Sequence, residues 1–195
     1  PRTIKLRESY KQWDAVRPVY QNAGGIAARD WDGATPHSHY RDDSARNDIV
    51  LAQVARDDTN LYFHVRASAP LTPASGRNWM LLLLDTDGSS ATGWHFLVNR
   101  SRIGGRCTIE RNIGGAWSWK PVGMASFRRQ GRDLMLVVSR RILQLPASGG
   151  PLTLNFKWAD NIPDRPDIMD FYGKGDVTPY ARFNYRFAEP ARQAR

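Results

Sequence analysis

Along the chain, apolar positions fall into short alternating or continuous runs bounded by Gly, Pro, Asn and Asp, and helical periodicity is almost absent. The pattern predicts strands over Ile49 to Ala55, Leu61 to Ala67, Trp79 to Asp85, Trp94 to Asn99, Cys107 to Asn112, Ala116 to Pro121, Ala125 to Arg129, Leu134 to Ser139 and Leu152 to Trp158. Nine strands need two layers to bury their apolar faces. The expected fold is therefore all-β, a two-sheet antiparallel β-sandwich of jelly-roll-like kind with few or no helices. Asp57-Asp58-Thr59-Asn60 and Gln130-Gly131-Arg132-Asp133 read as tight turns, each closing a hairpin. Trp79 to Leu84 is apolar at consecutive positions, which predicts a central strand covered on both faces. Arg140 to Leu145 fits one helical turn, ended by Pro146 and the Ala147 to Gly150 loop.

Length adds one constraint: 195 residues can bury a substantial core without disulfides, and neither a linker nor an internal repeat divides them. The expected organisation is one domain over residues 1–187 and a basic, frayed tail over 188–195. A chain beginning at Pro1 is expected to be a processed protein or a domain of a longer one. The longest apolar run, Met80 to Leu84, falls far short of the ~20 residues of a membrane helix, so no membrane partner is expected. A lone Cys107 excludes an internal disulfide and a cysteine-based zinc site, and is expected in the core. The net charge of +9 attracts polyanions in general. Its Arg residues are spread along the chain without a helix-turn-helix, zinc-finger or RNA-binding pattern, which argues against a specific nucleic-acid partner and leaves an acidic glycan open.

Candidate chemistry concentrates after the buried strand. Asp85-Thr86-Asp87-Gly88 places two carboxylates two residues apart on a Gly-containing turn, a geometry suited to a hard cation such as calcium. An Asp-Gly turn without metal is the alternative. Asp160 and Asn161 follow the strand Leu152 to Trp158, with Asp164, Asp167, Asp170 and Asp176 beyond; the competing reading there is a solvated acidic loop. Seven Trp and seven Tyr exceed what a core of this size needs, and exposed rings suit the C–H faces of sugars. Trp117 and Trp119 share one face of a short Gly-flanked segment, and Trp94 leaves the Asp85 to Gly93 loop. His37 and His39 alternate in a loop without a clear third metal ligand, while His64 and His95 fall within strand patterns and read as structural. Nucleophile elbows, zinc-protease motifs, phosphate loops and dinucleotide fingerprints are all missing.

Several phrases together resemble family 9 carbohydrate-binding modules and the related DOMON domains. They are Arg29-Asp30-Trp31-Asp32-Gly33, Tyr40 to Ile49, Asn60-Leu61-Tyr62-Phe63, the Asp85 to Trp94 loop, Phe156 to Asn161, Gly175-Asp176 and Arg182-Phe183. Such modules are calcium-containing β-sandwiches attached to secreted polysaccharide-degrading enzymes. The resemblance implies a noncatalytic, lectin-like domain that is secreted, periplasmic or on the cell surface. Its partners would be a polysaccharide or oligosaccharide and a covalently linked catalytic domain. It implies structural calcium at Asp85 and Asp87, with Asp160 as the third candidate ligand, and a sugar-facing rim including Trp94, Trp117 and Asn161. Trp119, Tyr172 and Arg182 complete the candidate contact set. After Trp94 the chain runs directly into His95-Phe96-Leu97, where relatives are expected to carry a longer Gly-Tyr-Asp-type stretch. Two alternatives stay open: a glycan hydrolase or lyase using Asp160 or Asp170 with Tyr172, and a haem-binding domain of the DOMON type.

Overall fold

A computed structural model of the chain describes residues 2–25, 27–33, 39–89, 91–115, 117–146, 151–166 and 170–189. Strands β1 (Val19–Gln21), β2 (Arg29–Asp32), β3 (His39–Asp42), β4 (Ile49–Arg56), β5 (Asn60–Ala67), β6 (Leu81–Asp85) and β7 (Phe96–Ile103) make up the first half. The second half adds β8 (Arg106–Asn112), β9 (Trp119–Gln130), β10 (Asp133–Ser139), β11 (Thr153–Asp160), β12 (Asp176–Thr178) and β13 (Tyr185–Ala188). Among the described residues, helical structure is confined to a 3-10 turn at Tyr10–Trp13 and a short helix α1 (Asp170–Gly173). No helix among the described residues is long and apolar enough to cross a membrane.

The fold is all-β and antiparallel, a curled sandwich. The strands form one bonded path, β1-β4-β5-β10-β9-β8-β7-β6-β11-β12, with β13 also pairing β11, while β2 and β3 form a separate ribbon. The sheet curls because its ends meet. The Tyr20 hydroxyl of β1 donates to the Arg186 carbonyl of β13 at 2.7 Å, and its ring packs on Phe156 and Tyr185. Two layers result, and between them lies one core containing Val54, Phe63, Leu82, Leu84, Phe96, Leu136, Phe156 and Trp158. Cys107 belongs to it, and burial pushes its thiol pKa up to about 12.

β9 joins the layers. Residues from Trp119 to Ser126 pair with β8, whereas Ser126 to Gln130 pair with β10. The register slips where Glu110 faces Pro121 and Ile109 faces Gly123, leaving Val122 as the extra residue of a bulge. Pro121 has no N–H for a regular ladder, and Gly123 lies under Ile142, whose Cδ1 would come within 2.7 Å of any Cβ there. The two strands expected at 116–121 and 125–129 are therefore one bent strand. Both expected hairpins are present. Asp57 Oδ1 accepts from the backbone N–H groups of Thr59 and Asn60 to close β4–β5, and Gly131, at φ +57, closes β9–β10. Residues 140–144 form turns, so the expected helical turn is only partly realised, and 147–150 lie outside the described residues. So does most of the predicted tail, 190–195, although its first residue, Ala188, ends β13.

Candidate functional site

On β6, Leu82 and Leu84 point into the core, so period two turns Leu81, Leu83 and Asp85 to the outer face. The register places Asn155 of β11 opposite Asp85, Lys157 opposite Leu83 and Ala159 opposite Leu81. Across the other edge of β6, Leu97 lies opposite Leu83, and Glu110 opposite Leu97. His95 extends the ladder by one residue, since its N–H donates to Leu84 O at 2.9 Å while its carbonyl accepts from Asn112 N. Asp85 and His95 thus become neighbours across a hairpin. Trp94, Trp117, Trp119 and Tyr180, all half-buried, pack over Leu81, Leu83, Leu97, Phe171 and Val177 on this outer face. Trp117 meets Trp119 edge-on, with centroids 5.2 Å apart.

The cation-binding candidate sits at one end of that face. Ligand atoms of Asp85, Asp87 and His95 all lie within 4.8 Å of one another. Asp85 is buried. Its Oδ2 accepts from Asn155 Nδ2 at 2.7 Å, and its Oδ1 accepts from the N–H groups of Asp87 and Gly88 at 3.2 Å. Asp87 accepts from Ser89 N and from the Thr92 hydroxyl. The Thr86 amide donates to His95 Nδ1, so the neutral ring carries its proton on Nε2, 3.8 Å from Asp87 Oδ2. Burial and the neighbouring Asp87 carboxylate raise the Asp85 pKa, while the Ser89 N–H and the bond with Asp85 lower that of Asp87. Two carboxylates supply at most four of the six to eight oxygens that calcium takes, and the imidazole supplies none. That donor set fits a first-row divalent ion such as zinc or manganese better.

Asp160 does not join this cluster, which corrects its grouping with Asp85 and Asp87. It ends β11 five residues beyond Asn155, about 17 Å along the strand at ~3.3 Å per residue. Its carboxylate is fully buried, and both oxygens are occupied. Arg46 Nε donates at 2.7 Å and Arg46 Nη2 at 3.2 Å, and Met80 N at 2.8 Å. Beside it, Asp176 is fully buried. Its Oδ2 accepts from Ile49 N at 2.5 Å, its Oδ1 has no hydrogen-bond partner among the described residues, and burial pushes its pKa up to about 7. Lys157 on the outer face donates to the Pro179 carbonyl beneath the Phe171 ring; burial lowers its pKa to about 7 against the opposing charge of Asp176.

The other predicted contact residues separate. Asn161, at φ +59, donates to Ser44 Oγ at 3.0 Å and ties the β11 end to the loop after β3. Tyr172, in α1, meets Tyr180 edge-on at 5.8 Å and accepts from Arg29 Nη1 through its carbonyl. Arg182 is exposed and lies over Phe183. His39 is held between Asp30 and Asp32, one carboxylate 2.8 Å from each ring nitrogen, and His37 lies outside the described residues. His64 is structural as expected, sealed against Trp13 and bonded to Gln53 and Asp133.

Two features escaped the sequence reading. His95 was legible only through the register, because a hairpin pairing Leu84 with Phe96 necessarily sets 85 beside 95. The second is a pocket of about 400 Å³ where β1, the β2–β3 ribbon and the loop after β12 converge. Trp31 and Tyr180 are its aromatic lining residues, and Arg29 and Asn22 bring polar groups. The Arg29 guanidinium lies 5.2 Å from the centre of the Tyr180 ring, and Trp31 is 38% exposed. Searches of protein-family models, of curated proteins and of solved structures each return no match to the chain.

Proposed function

We propose that the chain is a noncatalytic saccharide-binding module, with the Trp31–Tyr180 pocket as its sugar site and the Asp85–Asp87–His95 turn as a cation-held brace. The observation that carries the reading is the pocket itself. It is concave, has two aromatic side chains among its lining residues, and offers one guanidinium and one carboxamide within about 400 Å³. Rings of this kind cover the C–H face of a pyranose, and polar groups along the same wall meet its hydroxyls. Support also comes from Asp160, whose oxygens serve Arg46 and Met80 and leave none for acid–base chemistry on a glycan. An extracellular setting and a linked polysaccharide-degrading domain belong to the same proposal.

Isothermal titration against a set of neutral oligosaccharides tests it. Binding to at least one is expected, weakened about tenfold or more, roughly 1.4 kcal/mol, in Trp31→Ala. Heat-silent titrations across the whole set would sink the proposal, and so would full binding by Trp31→Ala.

A further inference from the structure

The outer face of the opposite layer carries a second recess. It lies between the Tyr10–Trp13 turn and the β9–β10 hairpin, has a volume of about 680 Å³, and is lined by four cationic side chains, Lys11, Arg66, Arg128 and Arg132, and two acidic ones, Asp14 and Asp133. These charges do not cancel. Asp133 accepts from Arg66 Nε at 2.7 Å and lies 2.8 Å from His64 Nε2, so it is committed to residues of the sheet. Arg128 spends its N–H groups on the carbonyls of Leu6 and Glu8 and on Gln130 Oε1, and its guanidinium lies over the Tyr10 ring. Among the described residues, the Arg132 side chain donates only to the Ser68 carbonyl, at 3.4 Å. Among the described residues, Lys11, Arg128 and Arg132 form no ion pair with a carboxylate, which leaves three cations to set against Asp14.

We propose that this recess binds the carboxylate or sulfate groups of an acidic saccharide. The inference builds on the saccharide reading but uses a surface separate from the Trp31 pocket. Uncompensated cations gathered in one concavity gain charge-assisted hydrogen bonds from an oxyanion, and guanidinium groups match its geometry. The volume suits one or two sugar rings, with Ser9 and Gln130 to bond hydroxyls and Tyr10 as a wall. A nucleic acid fits less well. Its charges recur every ~1.7 Å along a duplex and call for a stripe of cations, whereas here they are clustered and share the wall with two carboxylates that repel a polyphosphate. Arg128 anchors the N-terminal segment and Arg66 anchors Asp133, so Lys11 and Arg132, both exposed, are the side chains free to engage a ligand.

The test uses the whole chain and four probes at low salt: a sulfated heparin tetrasaccharide, tetragalacturonate, neutral cellotetraose and a short single-stranded DNA. Wild type is expected to bind one of the acidic tetrasaccharides, and Lys11→Ala/Arg132→Ala to bind it at least about tenfold more weakly at unchanged melting temperature. The charge-conserving Lys11→Arg/Arg132→Lys should retain most of the affinity. Trp31→Ala should leave acidic binding in place while removing neutral-sugar binding, which separates failure here from failure of the first proposal. Unweakened binding by the alanine pair, silence towards both acidic probes, loss of acidic binding in Trp31→Ala, or tighter binding of DNA than of either acidic tetrasaccharide would each overturn the proposal.

Discussion

At one end of the β6–β11 pair, Asp85 shares a turn with Asp87 and meets an imidazole; at the other, Asp160 meets a guanidinium in the interior. Both are strand-end aspartates with almost no exposed surface. The first accepts from a carboxamide and two backbone N–H groups and, among the described residues, forms no ion pair with a lysine or arginine, so its charge is left for a cation. The second is saturated by Arg46 and by a backbone N–H, and it serves the fold. A carboxylate's role therefore follows from the charge of its partner more than from its position in an element.

The contrast breaks most visibly at Arg46. Arg46→Ala strands a buried carboxylate and is expected to cost about 3–5 kcal/mol in denaturant unfolding. An unmoved midpoint would mean that Asp160 is not charged in the folded state. Next in size is Asp176. Its folded pKa of about 7 lies above its ordinary 3.8, so the native state holds the extra proton between those values and stability falls as pH rises through that window. Lys157 works oppositely. With a folded pKa of about 7 against an ordinary 10.5, the unfolded chain holds the extra proton between 7 and 10.5, and stability recovers as pH rises there. The two together place a stability minimum near neutrality. Asp176→Asn should flatten the acidic limb, whose depth is on the order of 4 kcal/mol. A variant with an unchanged pH profile would exclude Asp176 as the titrating group.

At the open end, zinc or manganese at about a hundredfold excess over its dissociation constant should stabilise the chain by about 2.7 kcal/mol, and more than calcium does at the same concentration. The gain should vanish in Asp85→Ala and in His95→Ala. A calcium response that survives His95→Ala would restore an all-oxygen site. The smallest effect is expected at Arg77, which pairs with Asp164 in the open. Arg77→Ala should change stability by less than about 1 kcal/mol, because solvent already screens both charges.

Seven of the nine predicted strands lie where the apolar runs place them, within a few residues, because period two and Gly or Asp turns act locally. The other two merged. Nothing local announces that Pro121 to Gly123 would be bridged by a bulge. The short edge strands β1, β12 and β13 and the β2–β3 ribbon were invisible for a related reason: three or four residues carry too little pattern, and their pairing comes from distant partners. The Asp85–Asp87 turn was legible as a spacing. The third group, His95, needed a register, and the Trp31 pocket needed segments far apart in the chain to converge.

Because β9 belongs to both layers, neither can slide or hinge against the other without tearing a single continuous strand. The Asn22 side of the Trp31 recess and the Lys11–Arg132 recess also lie along one bonded run of strands, β1-β4-β5-β10, which sets an interval between them like the jaws of a caliper. A polymer engaging both would have to match that interval, and chain length would itself become a criterion of selection.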